Sequence, residues 1–169
     1  MENLCATVAM MCTLFYPSLD ADKLNFANSI AHCGATHNLT LPPEERIPLY
    51  LVVGVAAHES GYGSSRISQE ANNYFGMKTL NKEYYIVPEN NPDVKLALYF
   101  SMCDSVEDFM DLLLNYYAYE DFRNELDLQR KVGEIDYSKL VNTLSAYAVD
   151  EEWTDKVIKI INQINRRFI

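Results

Sequence analysis

Val52-Val53-Gly54-Val55-Ala56-Ala57-His58-Glu59-Ser60-Gly61-Tyr62-Gly63 is an apolar run of small residues that ends on a single carboxylate, with two glycines and a tyrosine close behind it. Pro48 suits the opening of a helix and Gly61 its close. The pattern predicts a buried helix with Glu59 in its last turn. Desolvation there and the partly negative helix C-terminus both disfavour ionisation and raise a carboxyl pKa. A carboxyl group held protonated near neutral pH is what general acid catalysis requires. The same residues also allow a plainer reading, in which Glu59 turns out to solvent where the helix stops.

Downstream, residues 64–71 read as a short helix with Ser64 as its cap. Asn72-Asn73-Tyr74-Phe75-Gly76-Met77-Lys78 follows as a loop with special backbone angles. It is either a tight turn with an aromatic plug or a display of amides beside an aromatic platform, an arrangement suited to sugar hydroxyls and N-acetyl groups. Residues 83–87 carry the first strand signal. Val94, Leu96, Leu98 and Phe100 then alternate with Lys95, Ala97 and Tyr99, so a β-hairpin with a long connection is expected.

The remainder reads as helix. Leu4, Val8, Met11 and Phe15 form an apolar stripe that Pro17 stops, and Asp20 can cap a second helix carrying Leu24, Ala27 and Ile30 or Ala31. His32 and His37 near its end read as surface or capping residues. Asp104-Ser105-Val106-Glu107 has the pattern of a capping box, ahead of an apolar face of Val106, Phe109, Met110, Leu113, Leu114 and Tyr117. Residues 120–130 are expected to be helical and exposed, with Gly133 as the break. Leu140, Leu144 and Tyr147 mark another helix. Asp150 can cap the last one, on which Trp153, Val157, Ile160, Ile161, Ile164 and Phe168 face inward.

The chain has 169 residues, enough for one domain with a sizeable core. Its formal net charge of -10 argues against nucleic-acid binding and against docking on an anionic membrane. No apolar run reaches the ~18 residues of a membrane span. No basic start or small-residue cleavage site marks an export signal. Cys5, Cys12, Cys33 and Cys103 have no zinc-ligand spacing and are expected as free buried thiols. No metal and no cofactor is expected.

Taken together, Ile47-Pro48, Ala56-Ala57-His58-Glu59-Ser60-Gly61-Tyr62-Gly63-Ser64-Ser65-Arg66 and Ala71-Asn72-Asn73-Tyr74-Phe75-Gly76-Met77-Lys78 resemble the glucosaminidase family, glycoside hydrolase family 73. Tyr147-Ala148-Val149-Asp150 looks like that family's Tyr-Ala-Thr-Asp element. The resemblance covers roughly residues 45–165, with residues 1–44 expected as N-terminal helices packed on a single domain. It implies a lysozyme-like α+β fold, mostly helical with one small β-hairpin. It also implies cleavage of the bond between N-acetylglucosamine and N-acetylmuramic acid in the glycan strands of bacterial cell-wall peptidoglycan.

Glu59 then becomes the catalytic acid, Glu83 the second carboxylate with Glu89 as the fallback, and Tyr147 the family tyrosine. Tyr62, Phe75 and Tyr85 are expected walls for sugar rings. Asn72, Asn73 and Gly76 are expected substrate contacts from the loop. Phe100-Ser101-Met102-Cys103 departs from the family's Phe-Arg-x-Tyr, and His58 stands where a small or apolar residue is usual. The alternatives are a lytic transglycosylase or muramidase using the same Glu59, and a non-catalytic glycan-binding or phage structural module. A phage lysin, a virion component or a longer exported precursor would each fit an enzyme without an export signal.

Overall fold

Every residue from Leu51 to Ala57 is buried, which a helix achieves only when neighbours cover it on all sides. A computed structural model describes residues 21–80, 83–144, 146–147, 150 and 152–165. The stripe of Leu4, Val8, Met11 and Phe15, the Asp20 cap and Phe168 lie outside the described residues. The helices are α1 (Ala21–Thr40), α2 (Leu49–Ser60), α3 (Arg66–Ala71), α4 (Met102–Asn115), α5 (Glu120–Val132), α6 (Tyr137–Asn142) and α7 (Trp153–Asn165). An antiparallel pair, β1 (Tyr85–Ile86) and β2 (Leu96–Ala97), lies between α3 and α4. None of the described helices is long and apolar enough to cross a membrane.

Helix α2 is the expected central helix, starting after Pro48 and ending at Gly61. Helices α1 and α7 flank it. The close approach of α7 explains Gly54: a Cβ there would lie 2.4 Å from Ile161 Cγ1. Val106, Phe109, Met110 and Leu113 carry the buried face of α4, which packs on α1. Tyr117, expected on that face, is exposed in the turn beyond the helix.

Several local expectations shift. Ser65, not Ser64, caps α3 by accepting from the Ser68 amide. The capping box of α4 joins Ser101 and Asp104, three residues before the expected one, because the chain turns into helix directly after the hairpin. Helix α5 is amphipathic rather than exposed, burying Phe122, Leu126 and Gln129. Helix α6 ends at Asn142, so Tyr147 sits in a turn. His37 is no surface residue: it bonds Asp111 at 3.1 Å and ties α1 to α4.

The hairpin is shorter than its alternation implied. Leu96 is buried but Phe100 is 89 % exposed, since core lies beneath only the middle of the second strand. The other edge of β2 pairs with the loop after α3, through Ala97 N–H to Met77 O (2.8 Å) and Thr79 N–H to Lys95 O (3.0 Å). The hairpin is thereby fastened to the Asn-rich loop.

The thiol expectation is overturned. Cys33 and Cys103 form a disulfide, with Cα atoms 4.9 Å apart where α1 meets the first turn of α4. That separation is within the ordinary range for a disulfide bridge. Cysteine counting gave no pairing because it carries no information on which helices meet. Cys5 and Cys12 lie outside the described residues.

Candidate active site

The end of α2 is tied off by its own next residues. Gly61, at φ 57°, gives its amide to the carbonyls of the last turn. Tyr62, also at positive φ, donates its amide to Ala57 O at 2.9 Å. Ser60 Oγ donates to Ala56 O at 2.6 Å and accepts from the Gly63 amide at 2.8 Å. With those carbonyls satisfied, Glu59 leaves a fixed helix end, half-buried.

Its Oε1 accepts a hydrogen bond from Trp153 Nε1 at 2.6 Å. Burial pushes the Glu59 carboxyl above its ordinary value; the Trp153 bond and the neighbouring His58 oppose that shift but are outweighed. The expected raised pKa is therefore present, and its main cause is desolvation.

The loop after α3 passes over the other oxygen. Asn72 and Gly76 both take positive φ, 50° and 65°. A Cβ on Gly76 would lie 3.7 Å from Glu59 Oε2, so the backbone at Gly76 runs beside the carboxyl with no side chain between. Tyr147 locks this loop by donating its hydroxyl proton to the Phe75 carbonyl. The Tyr147 ring lies 5.5 Å from that of Trp153 and stands edge-on to Phe109. Burial first, then the charge of Glu59, raises the Tyr147 phenol well above its ordinary value. It stays protonated at neutral pH and acts as a hydrogen-bonding group.

Glu59, Gly76 and Tyr147 thus come together, with Phe75 contributing its carbonyl. The Phe75 ring does not form a sugar wall. It is 1 % exposed and stacks on Phe109 at 4.2 Å, so it is the aromatic plug of the simpler reading. Asn73 is likewise turned inward. Its Nδ2 donates to Met77 O and Ala97 O, both at 2.9 Å, and its Oδ1 accepts from the Met77 amide. Asn72 donates to Tyr99 O at 3.1 Å. Both amides join the loop to the hairpin, and Asn73 spends both ends of its amide on it.

Tyr62 is half-buried against Phe26, with Lys23 Nζ 5.5 Å from its ring. Tyr85 lies on β1 beneath Lys95, whose Nζ is 4.0 Å from the ring centre. Glu83 is exposed two residues before β1. Glu89 is exposed and paired with Arg66 at 3.2 Å.

Trp153 is the site residue that sequence reasoning missed. The apolar stripe of α7 placed it inward. A buried indole N–H needs an acceptor, and that was the one available clue.

The family described as glucosaminidase, mannosyl-glycoprotein endo-β-N-acetylglucosaminidase, matches residues 40–166. Protein bax of Escherichia coli K12 is 28 % identical over 134 residues, 78 % of this chain and 48 % of bax. The chain thus spans about half the length of that relative. The catalytic domain of the autolysin Auto from Listeria monocytogenes superposes with a TM-score of 0.67 at 18 % identity, covering 98 % of this chain and 95 % of that domain. A peptidoglycan hydrolase from Sphingomonas sp. A1 gives 0.65 at 22 % identity, over 85 % and 92 %. At these identities the likeness is one of fold: the lysozyme-like arrangement of helices with one small hairpin.

Proposed function

The chain belongs to the glucosaminidase family of glycoside hydrolases, and on that premise we propose that it cleaves the β-1,4 bond between N-acetylglucosamine and N-acetylmuramic acid in peptidoglycan, with Glu59 as the general acid. The observation that carries this reading is Glu59 itself, a half-buried carboxyl on a fixed helix end whose pKa is raised by burial. Peptidoglycan as substrate is supported by two fold neighbours, one an autolysin and the other described as a peptidoglycan hydrolase. The Cys33–Cys103 disulfide suits work at the cell wall, outside the reducing cytosol.

Hydrolysis needs a proton for the leaving oxygen and a partner for the oxocarbenium-like sugar. Glu59 supplies the proton. For the second role, Glu83 on the hairpin acts as general base on a water at the opposite face, giving inversion. The competing route is attack by the substrate's own N-acetyl oxygen. In that route Tyr147 acts by positioning: its hydroxyl holds the Phe75 carbonyl of the loop that runs beside Glu59.

The test is digestion of purified peptidoglycan with product ends read by mass spectrometry. Wild type should release reducing N-acetylglucosamine ends, and Glu59→Gln should lose about 10²–10⁴-fold in rate. Full activity in Glu59→Gln would remove Glu59 from the mechanism. Glu83→Gln separates the two routes, since near-normal turnover means assistance by the substrate. Reducing muramic ends would make the protein a muramidase, and anhydro ends a lytic transglycosylase. Binding without cleavage would make it a glycan-binding module.

A further inference from the structure

Trp153 is the only tryptophan in the chain, and its N–H is bound to the carboxyl that the proposed chemistry uses. We propose that Trp153 is a positioning residue that decides which oxygen of Glu59 delivers the proton. The indole N–H holds Oε1 as an acceptor and leaves Oε2, the oxygen beside Gly76, to carry and donate it. The inference rests on the reading of Glu59 as the acid.

The assignment follows from donor chemistry. An indole N–H can only donate. In a neutral carboxyl the carbonyl oxygen is the better acceptor, so a donor 2.6 Å from Oε1 makes Oε1 the carbonyl oxygen. The hydroxyl is then Oε2. That oxygen faces the one loop position without a side chain, where a Cβ would come within 3.7 Å. A leaving oxygen approaching over Gly76 meets the proton directly.

The arrangement is rigid. Trp153 is 4 % exposed and opens α7, whose Val157 and Ile161 pack on α2 at Gly54. Donor and acceptor therefore sit on two docked helices, 94 residues apart in sequence. The titratable groups against the indole are Glu59, His58 with its ring edge-on at 6.3 Å, and Tyr147 at 5.5 Å. Asp150, just ahead of α7, pairs with Lys156 at 2.7 Å.

Without the indole bond, Glu59 can rotate and place its proton on either oxygen. The bond also favours the ionised form, so its loss raises the Glu59 pKa further. An acid works protonated, and its rate falls as pH rises through its pKa. Removing the bond therefore moves the alkaline limb of the rate profile to higher pH while lowering its maximum.

The experiment is the pH–rate profile of Trp153→Phe on soluble glycan fragments, beside its thermal melt. The expected result is a folded variant with kcat lower by about 10–100-fold, as misplacement of a reacting group costs. KM should be unchanged and the alkaline limb displaced upward. Wild-type kcat, or a loss of kcat with the limb unmoved, would overturn the proposal.

A second measurement covers a variant that fails to fold. In His58→Gln, which takes the neighbouring imidazole away from the indole, emission of the sole indole should titrate with the midpoint of that variant's alkaline limb. The same titration should vanish in His58→Gln/Glu59→Gln. Its persistence there, or its absence from His58→Gln, would sink the proposal. Full activity of Glu59→Gln would instead overturn the underlying reading of the acid, whatever the indole reports.

Discussion

Glu59 is held in a place that suits its protonated form better than its charged one. That preference has a thermodynamic consequence apart from catalysis. A carboxyl whose folded pKa is raised takes up its proton more readily in the native state, so its contribution to stability is present at low pH and is lost as pH rises through the folded pKa. Above that point the buried charge weakens the fold. Glu59→Gln keeps an acceptor for Trp153 and has no charge to bury, so its melting temperature should exceed that of wild type at pH ~7.5. The margin should shrink towards pH ~4, below the ordinary glutamate value of 4.5. Paired thermal melts at the two pH values measure it, and a margin that grows on acidification would refute the sign. The position of Glu59 was legible in the sequence, because an apolar run closed by glycine leaves little choice about where its one carboxylate falls. The roles of Asn73 and Phe75 were not. Composition marked the loop, but both residues serve it from inside, Asn73 with both ends of its amide and Phe75 with a ring in the core and a carbonyl to Tyr147. A side-chain type does not say which of its groups the fold consumes.

The helices were located from sequence more reliably than the joints between them. Periodicity placed α1, α4 and α7, since each buries a stripe, and an unbroken apolar run between Pro48 and Gly61 placed α2. The caps moved by one to three residues because several serines and aspartates compete at each start, and only the incoming chain direction decides among them. The exposed reading of α5 failed although Phe122, Leu126 and Gln129 follow each other at helical spacing; two apolar residues and a glutamine make a weak stripe. The joint with the largest mechanical consequence is the Cys33–Cys103 bridge between α1 and α4, which closes a 70-residue separation. Chain-entropy arguments give such a loop about 4 kcal/mol of stabilisation, acting on the unfolded state. Cys103→Ser should lower stability by roughly 2–4 kcal/mol, read from urea melts. Initial rates at 25 °C should stay near wild type, because the Glu59–Trp153 and Tyr147–Phe75 hydrogen bonds, which join α2 to α7 and fasten the Gly76 loop, involve neither cysteine. Loss of activity in step with the bridge, in a chain still folded, would show that α1 and α4 hold the site as well as the fold.

At the scale of the whole molecule, one buried helix organises both stability and chemistry. Helix α2 is wrapped by α1 and α7, and the loop and α7 converge on Glu59 at its C-terminal end. This central plan was legible from the sequence. The net charge of -10 then shapes the encounter with substrate. Peptidoglycan carries carboxylates on its peptide stems, and many walls add anionic polymers, so on the proposed reading enzyme and substrate would repel at long range. Arg66, beside the hairpin, does little to relieve this, since it is paired with Glu70 and Glu89. Repulsion between exposed charges is screened over about 30 Å at 0.01 M salt and about 8 Å at 0.15 M. Digestion of intact anionic walls should therefore speed up as salt rises across that range, through a higher kcat/KM at constant kcat. Short neutral glycan fragments should show little change, because they bring no charge to repel. Turbidity clearing of walls and reducing-end release from fragments, run in parallel over the same salt series, measure the two. A rate on intact walls that falls with salt would mean that a local cationic surface, and not the overall acidic charge, governs how this enzyme meets its substrate.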